Sequence, residues 1–240
     1  MSDLLQRIRE LKTPAKNQRD FKRYDRAAAL SKQAIDLAFR EYETTDVPEW
    51  HAALASELSD CFGILGGIER RWALDPRYDA THRSMHLEQS VNAYDQGYRY
   101  ESDPSVGNTS NSTYNRLNRL LVRLLLDPVR LSVNGNTADP EAGDTLNVRA
   151  ELEAVAADIE AQGTDSIWAA ADLSLLNVLL GRQDAASAYA GFEKKSPPDF
   201  ACQSALDAIA PLAAIDLPTA GELKSAERRL TALRDRLHTR

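Results

Sequence analysis

Four arginines and one asparagine carry the chemistry most open to this chain: Arg70, Arg71, Arg119 and Arg123, with Asn115. A guanidinium presents a planar fork of donors that fits a phosphate or carboxylate through two parallel hydrogen bonds. An asparagine amide adds a donor and an acceptor beside it. Tyr114 and Trp168 supply rings on which a cyclic ligand could stack. Together these residue types specify a site for an anion. The polar run Asn108, Asn111, Ser112, Thr113 and Asn115 stands at a helix start, where exposed N–H groups also favour negative charge. A competing reading has the arginines paired with Glu69, Glu88, Asp95 and Glu101 as solvated surface.

Other chemistries lack their residues. There is no glycine-rich phosphate loop, no Gly-x-Ser-x-Gly, no zinc-ligand pair of cysteines and no Cys/His nucleophile arrangement. His82 and His86 are spaced to share a helix face and could clamp a metal, but no further ligands complete the set. The expectation is therefore a non-enzyme without cofactor or metal. The net charge of −7 argues against general nucleic-acid binding. Cys61 and Cys202 lie inside apolar helical patterns and read as buried free thiols of a reducing compartment. The chain opens on polar Ser2-Asp3, and no apolar run approaches about 18 residues. Neither a signal peptide nor a membrane span is expected, and a cytoplasmic location follows as an expectation.

The elements that must position the arginines are helices. Only 7% of the 240 residues are aromatic, alanine and leucine abound, and no segment keeps a period of two with β-branched residues. Leu4, Leu5, Ile8 and Leu11 outline a short opening helix that Pro14 interrupts, and a longer one runs from about Gln18 to Tyr42. Asp46 and Pro48 start the next, through Trp50 and Leu54 to Trp72. Helices follow near Thr81–Tyr100 and Tyr114–Leu126. The stretch 129–145, with Asn134-Gly135 and Asp139-Pro140, reads as an exposed mobile insertion or a lid, and Asp144 or Thr145 caps the helix after it. In the last helix, 220–238, Leu223, Leu230 and Leu237 recur every seven residues; it reads as a terminal cap, with dimerisation as the alternative.

Leu65-Gly66 in one helix, with Ser90, Tyr94 and Gly97 in the next, matches a tetratricopeptide repeat, whose small residues let two helices cross closely. Tyr24, Ala27, Ser31 and Ala34 match the second helix of another repeat. Leu173, Ser174, Asn177, Gly181, Ala186 and Pro198 mark a further one. This register turns Asp60, Gly63, Gly67, Arg70 and Arg71 inward around Gly66. Around Asn118 it turns Ser112, Asn115, Arg119, Val122 and Arg123 inward, and around Ser174 it turns Trp168, Ala171, Leu175, Val178 and Leu179. The fold expected is a single all-α solenoid of about nine or ten helices over 1–240.

The run Leu65-Gly66-Gly67-Ile68-Glu69-Arg70-Arg71-Trp72, then Tyr94-Asp95-Gln96-Gly97-Tyr98, Asn115 before the leucines of 120–126, and Ser166-Ile167-Trp168 before Leu179-Leu180-Gly181 carry a resemblance. They resemble the tetratricopeptide region beside the TRAF-binding domain of apoptosis signal-regulating kinases and its bacterial relatives, over roughly residues 20–215. The resemblance implies an all-helical regulatory module of bacterial signalling or defence systems, sensing a small ligand, with nucleotide-derived molecules as candidates. No kinase or NTPase is attached here, so it implies a separately encoded effector. The expected function is a non-catalytic sensor or adaptor for an anionic small molecule, acting as a monomer or weak homodimer. The alternative is a protein-interaction adaptor whose groove takes a peptide or partner helix.

Overall fold

The computed structural model describes residues 2–102, 112–131 and 147–238. All regular structure among them is helical, in ten α-helices: α1 (Ser2–Asp20), α2 (Tyr24–Tyr42), α3 (Pro48–Ala73), α4 (Ala80–Glu101), α5 (Tyr114–Leu126), α6 (Val148–Gln162), α7 (Ile167–Leu179), α8 (Ala185–Lys194), α9 (Asp199–Ala213) and α10 (Ala220–His238). A 3-10 turn, Pro128–Leu131, follows α5. No helix among the described residues is long and apolar enough to cross a membrane. The polar cluster at Asn108 and Asn111, and the insertion expected at 129–145 beyond this 3-10 turn, lie outside the described residues.

Two compact units divide the chain, 1–126 and 127–240. In the first, each helix packs on the next, and α1, α3 and α5 also touch in succession. The crossing of α3 and α4 is set by small residues. Ser90 Oγ donates to the Gly66 carbonyl at 2.7 Å, and a Cβ at Gly66 would stand 2.8 Å from the Tyr94 ring. A side chain there would force the helices apart. On α2, the sequence-predicted Tyr24, Ala27, Ser31 and Ala34 are all buried.

The second unit uses the same device. Ser174 Oγ of α7 lies 2.8 Å from the Ala188 carbonyl of α8 and 2.6 Å from that of Ala170. Gly181, at φ +69°, makes the turn between α7 and α8. Ala186 is exposed, however. Asp184 caps α8 through Ser187 N at 2.8 Å, and the inward stripe is Ala185, Ala188, Tyr189 and Phe192. The last helix, α10, lays Leu223, Ala226 and Leu230 against its neighbours, while Leu237 is half-buried. Cys61 and Cys202 are free and buried, one in each unit.

Three boundaries differ from the sequence reading. Pro14 does not interrupt α1: it sits on the exposed side, where the carbonyl it leaves without a partner can meet water. The break comes instead at Lys22, whose φ of +57° turns the chain before Tyr24, so no helix runs on from Gln18. The cap of α6 is Asn147, accepting from Ala150 N at 3.0 Å, and not Asp144 or Thr145.

Candidate functional site

The candidate site lies where α5 meets the face of α3 that carries Gly63 and Gly67, both of them buried. Because neither has a side chain, Tyr114 of α5 lies over them. A Cβ at Gly63 would be 3.0 Å from its ring, and one at Gly67 would be 4.0 Å from its hydroxyl and 3.5 Å from that of Tyr94. The Tyr94 and Tyr114 rings meet edge to face at 6.1 Å. Tyr94 is fully buried, and Tyr114 is 47% exposed. The Tyr94 phenol, and burial after it, push the Tyr114 hydroxyl well above its ordinary value, against the pull of Arg70 and Arg19.

Arg70 is half-buried, and its Nη1 donates to Asn118 Oδ1 at 2.8 Å. Asn118 in turn donates to the Tyr114 carbonyl at 2.9 Å. A neutral amide thus holds the guanidinium, and among the described residues no carboxylate pairs with it. Arg71 instead meets Asp20 of α1 at 2.8 Å, and Arg19 meets the same oxygen at 2.9 Å. Further along α1, Lys12 bridges Glu57 and Asp60 of α3 at 2.5 and 2.6 Å, and Arg9 joins Glu57 at 2.9 Å. Asp60, expected to face a ligand, is engaged in that bridge.

On α5 the predicted register is rotated. Asn115, expected from the sequence to orient a ligand, is 1% exposed and belongs to the packing of α3, α4 and α5. Its Nδ2 lies 3.0 Å from Ser59 Oγ, 3.1 Å from the Ser59 carbonyl and 2.8 Å from Glu101 Oε1. A Cβ at Gly97 would strike this amide at 2.6 Å, which is what that glycine makes room for. Burial pushes the Glu101 carboxyl up, although Asn115 and Ser112 donate to it. Arg119 also departs from the expectation. It is 8% exposed and turns to α4, where it meets Asp95 at 2.8 Å and stands 4.8 Å over the Tyr98 ring. Val122 is fully buried, and Arg123 is half-buried and engaged by neighbours. Trp168 belongs to the second unit, at the start of α7.

The structure therefore brings together Arg70, Tyr114 and the two glycines, with Arg71 tied to the same α1 terminus. Asn118 joins them through Arg70, and Arg19 shares the Asp20 carboxylate with Arg71; neither is among the predicted site residues. A helix read straight through Pro14 would have placed Lys12, Lys16 and Arg19 on one stripe and pointed to Arg19. A separate cavity of about 490 Å³ lies between α1 and α2, lined by Arg7, Glu10, Asp36 and Arg40 among others. It includes none of the predicted site residues, and those four charges balance.

The histidines have another use. His86 lies 2.5 Å from Glu69, both buried, with Trp72 stacked on its ring at 4.0 Å. His82 stacks on Tyr78 at 4.0 Å. Among the described residues no group of three or more His, Cys, Asp or Glu is placed to hold a metal. No family model, curated protein or solved structure matches this chain.

Proposed function

We propose that this chain is a non-catalytic binding module for an anionic small molecule, taken beside Arg70 and the exposed Tyr114 ring, where α5 meets α3. The observation that carries the reading is the state of Arg70. Its guanidinium is half-buried, fixed by a neutral amide, and left with donors that no described carboxylate uses. Such a group is pre-oriented and uncompensated, the two properties a phosphate or carboxylate needs from its partner. Tyr114 offers an open ring next to it, which suits an anion with a cyclic part. The contacts of α1, α3 and α5 in succession, and the small-residue crossings, support a tetratricopeptide-like solenoid as the scaffold. The resemblance to regulatory modules of signalling and defence systems favours a sensor role for that site.

A thermal-shift panel of nucleoside mono- and diphosphates, cyclic dinucleotides and sugar phosphates tests this. A true ligand at about 100 times its dissociation constant adds roughly 2.7 kcal/mol of stability. Arg70→Ala should abolish that gain. A panel without a shift, or a shift that survives Arg70→Ala, overturns the assignment.

A further inference from the structure

The second unit holds a different set of unused groups. Trp168, on the first turn of α7, is 49% exposed, and Phe200, on the first turn of α9, is 65% exposed. Their ring centroids lie 6.0 Å apart at an interplanar angle of 45°. One helical turn beyond Trp168, on the same face of α7, stands Asp172. It is half-buried, and its carboxylate makes no hydrogen bond or ion pair with any described residue. Tyr189 of α8 lies near enough for its own phenol to be raised by that charge, after burial. Burial pushes the Asp172 carboxyl up to about 7. Three arginines of the unit pair with other carboxylates: Arg229 with Glu193, Arg182 with Glu160, and Arg149 with Glu153.

A half-buried carboxylate without a donor or a cation is disfavoured, and an arriving cation relieves that cost. The negative faces of two exposed rings attract the same class of group. We propose that Trp168, Phe200 and Asp172 form a docking site for one basic side chain, a lysine or arginine presented by a protein partner. The alkyl stem would lie against the two rings and the charge would reach Asp172. A peptide-borne group suits the site better than a free small cation. Rings this exposed cannot enclose a small molecule as a closed pocket does, whereas a partner adds contacts around them. This site is independent of Arg70 and calls for the opposite charge.

The test follows the Trp168 indole N–H in nuclear magnetic resonance spectra of the full chain, assigned with Trp168→Phe. The probes are a capped leucyl-lysine dipeptide, the matching leucyl-norleucine dipeptide and n-butylammonium. The lysine dipeptide should move the Trp168 signal saturably, and the norleucine dipeptide should bind about tenfold more weakly or less. Asp172→Asn should weaken the lysine dipeptide by a similar factor, and Phe200→Ala, at an exposed position, should weaken it as well. Equal binding of the norleucine dipeptide, or indifference to both substitutions, overturns the site. Butylammonium binding as tightly as the lysine dipeptide overturns the protein partner in favour of a free cation.

Discussion

The two units solve one packing problem in the same way and then present opposite surfaces. In each, a serine hydroxyl reaches a backbone carbonyl of the paired helix: Ser90 to Gly66 in the first, Ser174 to Ala188 in the second. In the first unit the adjoining face gathers arginines, one of them held by an amide. In the second, it carries two open aromatic rings and a carboxylate with no described partner. The comparison separates scaffold from function. Small residues fix how closely helices cross, while the charge presented beside the crossing is free to differ.

The largest effect should come from attacking the crossing itself. Gly66→Leu places a branched side chain where a Cβ alone is 2.8 Å from Tyr94, and should cost about 3 kcal/mol in a denaturant titration. Ser174→Ala removes a hydroxyl without adding volume and should cost about 1 kcal/mol. If the two cost the same, close approach is not what the first crossing depends on.

Next in size is the charge at Asp172. Its folded pKa, near 7, lies above the ordinary carboxyl value of 3.8. Folding therefore favours the protonated form. Stability from this group is fully present below about pH 4 and is lost as pH rises to about 7. Asp172→Asn should be more stable than the parent above pH 7, by on the order of 2 kcal/mol, with the gain vanishing by about pH 4. Denaturation midpoints across that range check the sign. A pH-independent difference would mean that the carboxylate is solvated after all.

Two arginines that look alike in the sequence should separate. Arg119→Ala leaves Asp95 to its longer pairing with Arg99 at 3.4 Å and uncovers Tyr98, and should cost about 1–2 kcal/mol of folding stability. Arg70→Ala loses one bond to a neutral amide and should cost about 0.5–1 kcal/mol, while removing anion binding. Equal losses of stability with ligand binding intact would make both arginines structural.

The helices and the α3–α4 crossing were legible because periodicity, caps and the Leu65-Gly66 and Ser90 pairing act locally. Pro14 misled because a proline's cost depends on which side of the helix it faces, and that is decided by packing. On α5 the error was rotational. Nine of the thirteen positions of that helix are buried, polar ones among them, so polarity does not mark one solvent face, and analogy with other repeats selects the wrong stripe, the one with Asn115 and Arg119. Asn118, one residue before Arg119, is the side chain that reaches Arg70. Asp172, a lone carboxylate on a helix, reads as solvated from its type alone, because its partial burial is set by packing.

The two cysteines make each unit a reporter of its own opening. Both thiols are fully buried, and burial pushes the Cys61 thiol up to about 12, so neither reacts with a thiol reagent in the closed state. Cys61 lies in the first unit and Cys202 in the second. Labelling under native conditions, followed by locating each label, reads the opening equilibrium of each half separately. An anion bound beside Arg70 should slow modification of Cys61, and a basic peptide bound beside Asp172 should slow that of Cys202. The sulfur atoms would then register which half is occupied without any substitution in the chain.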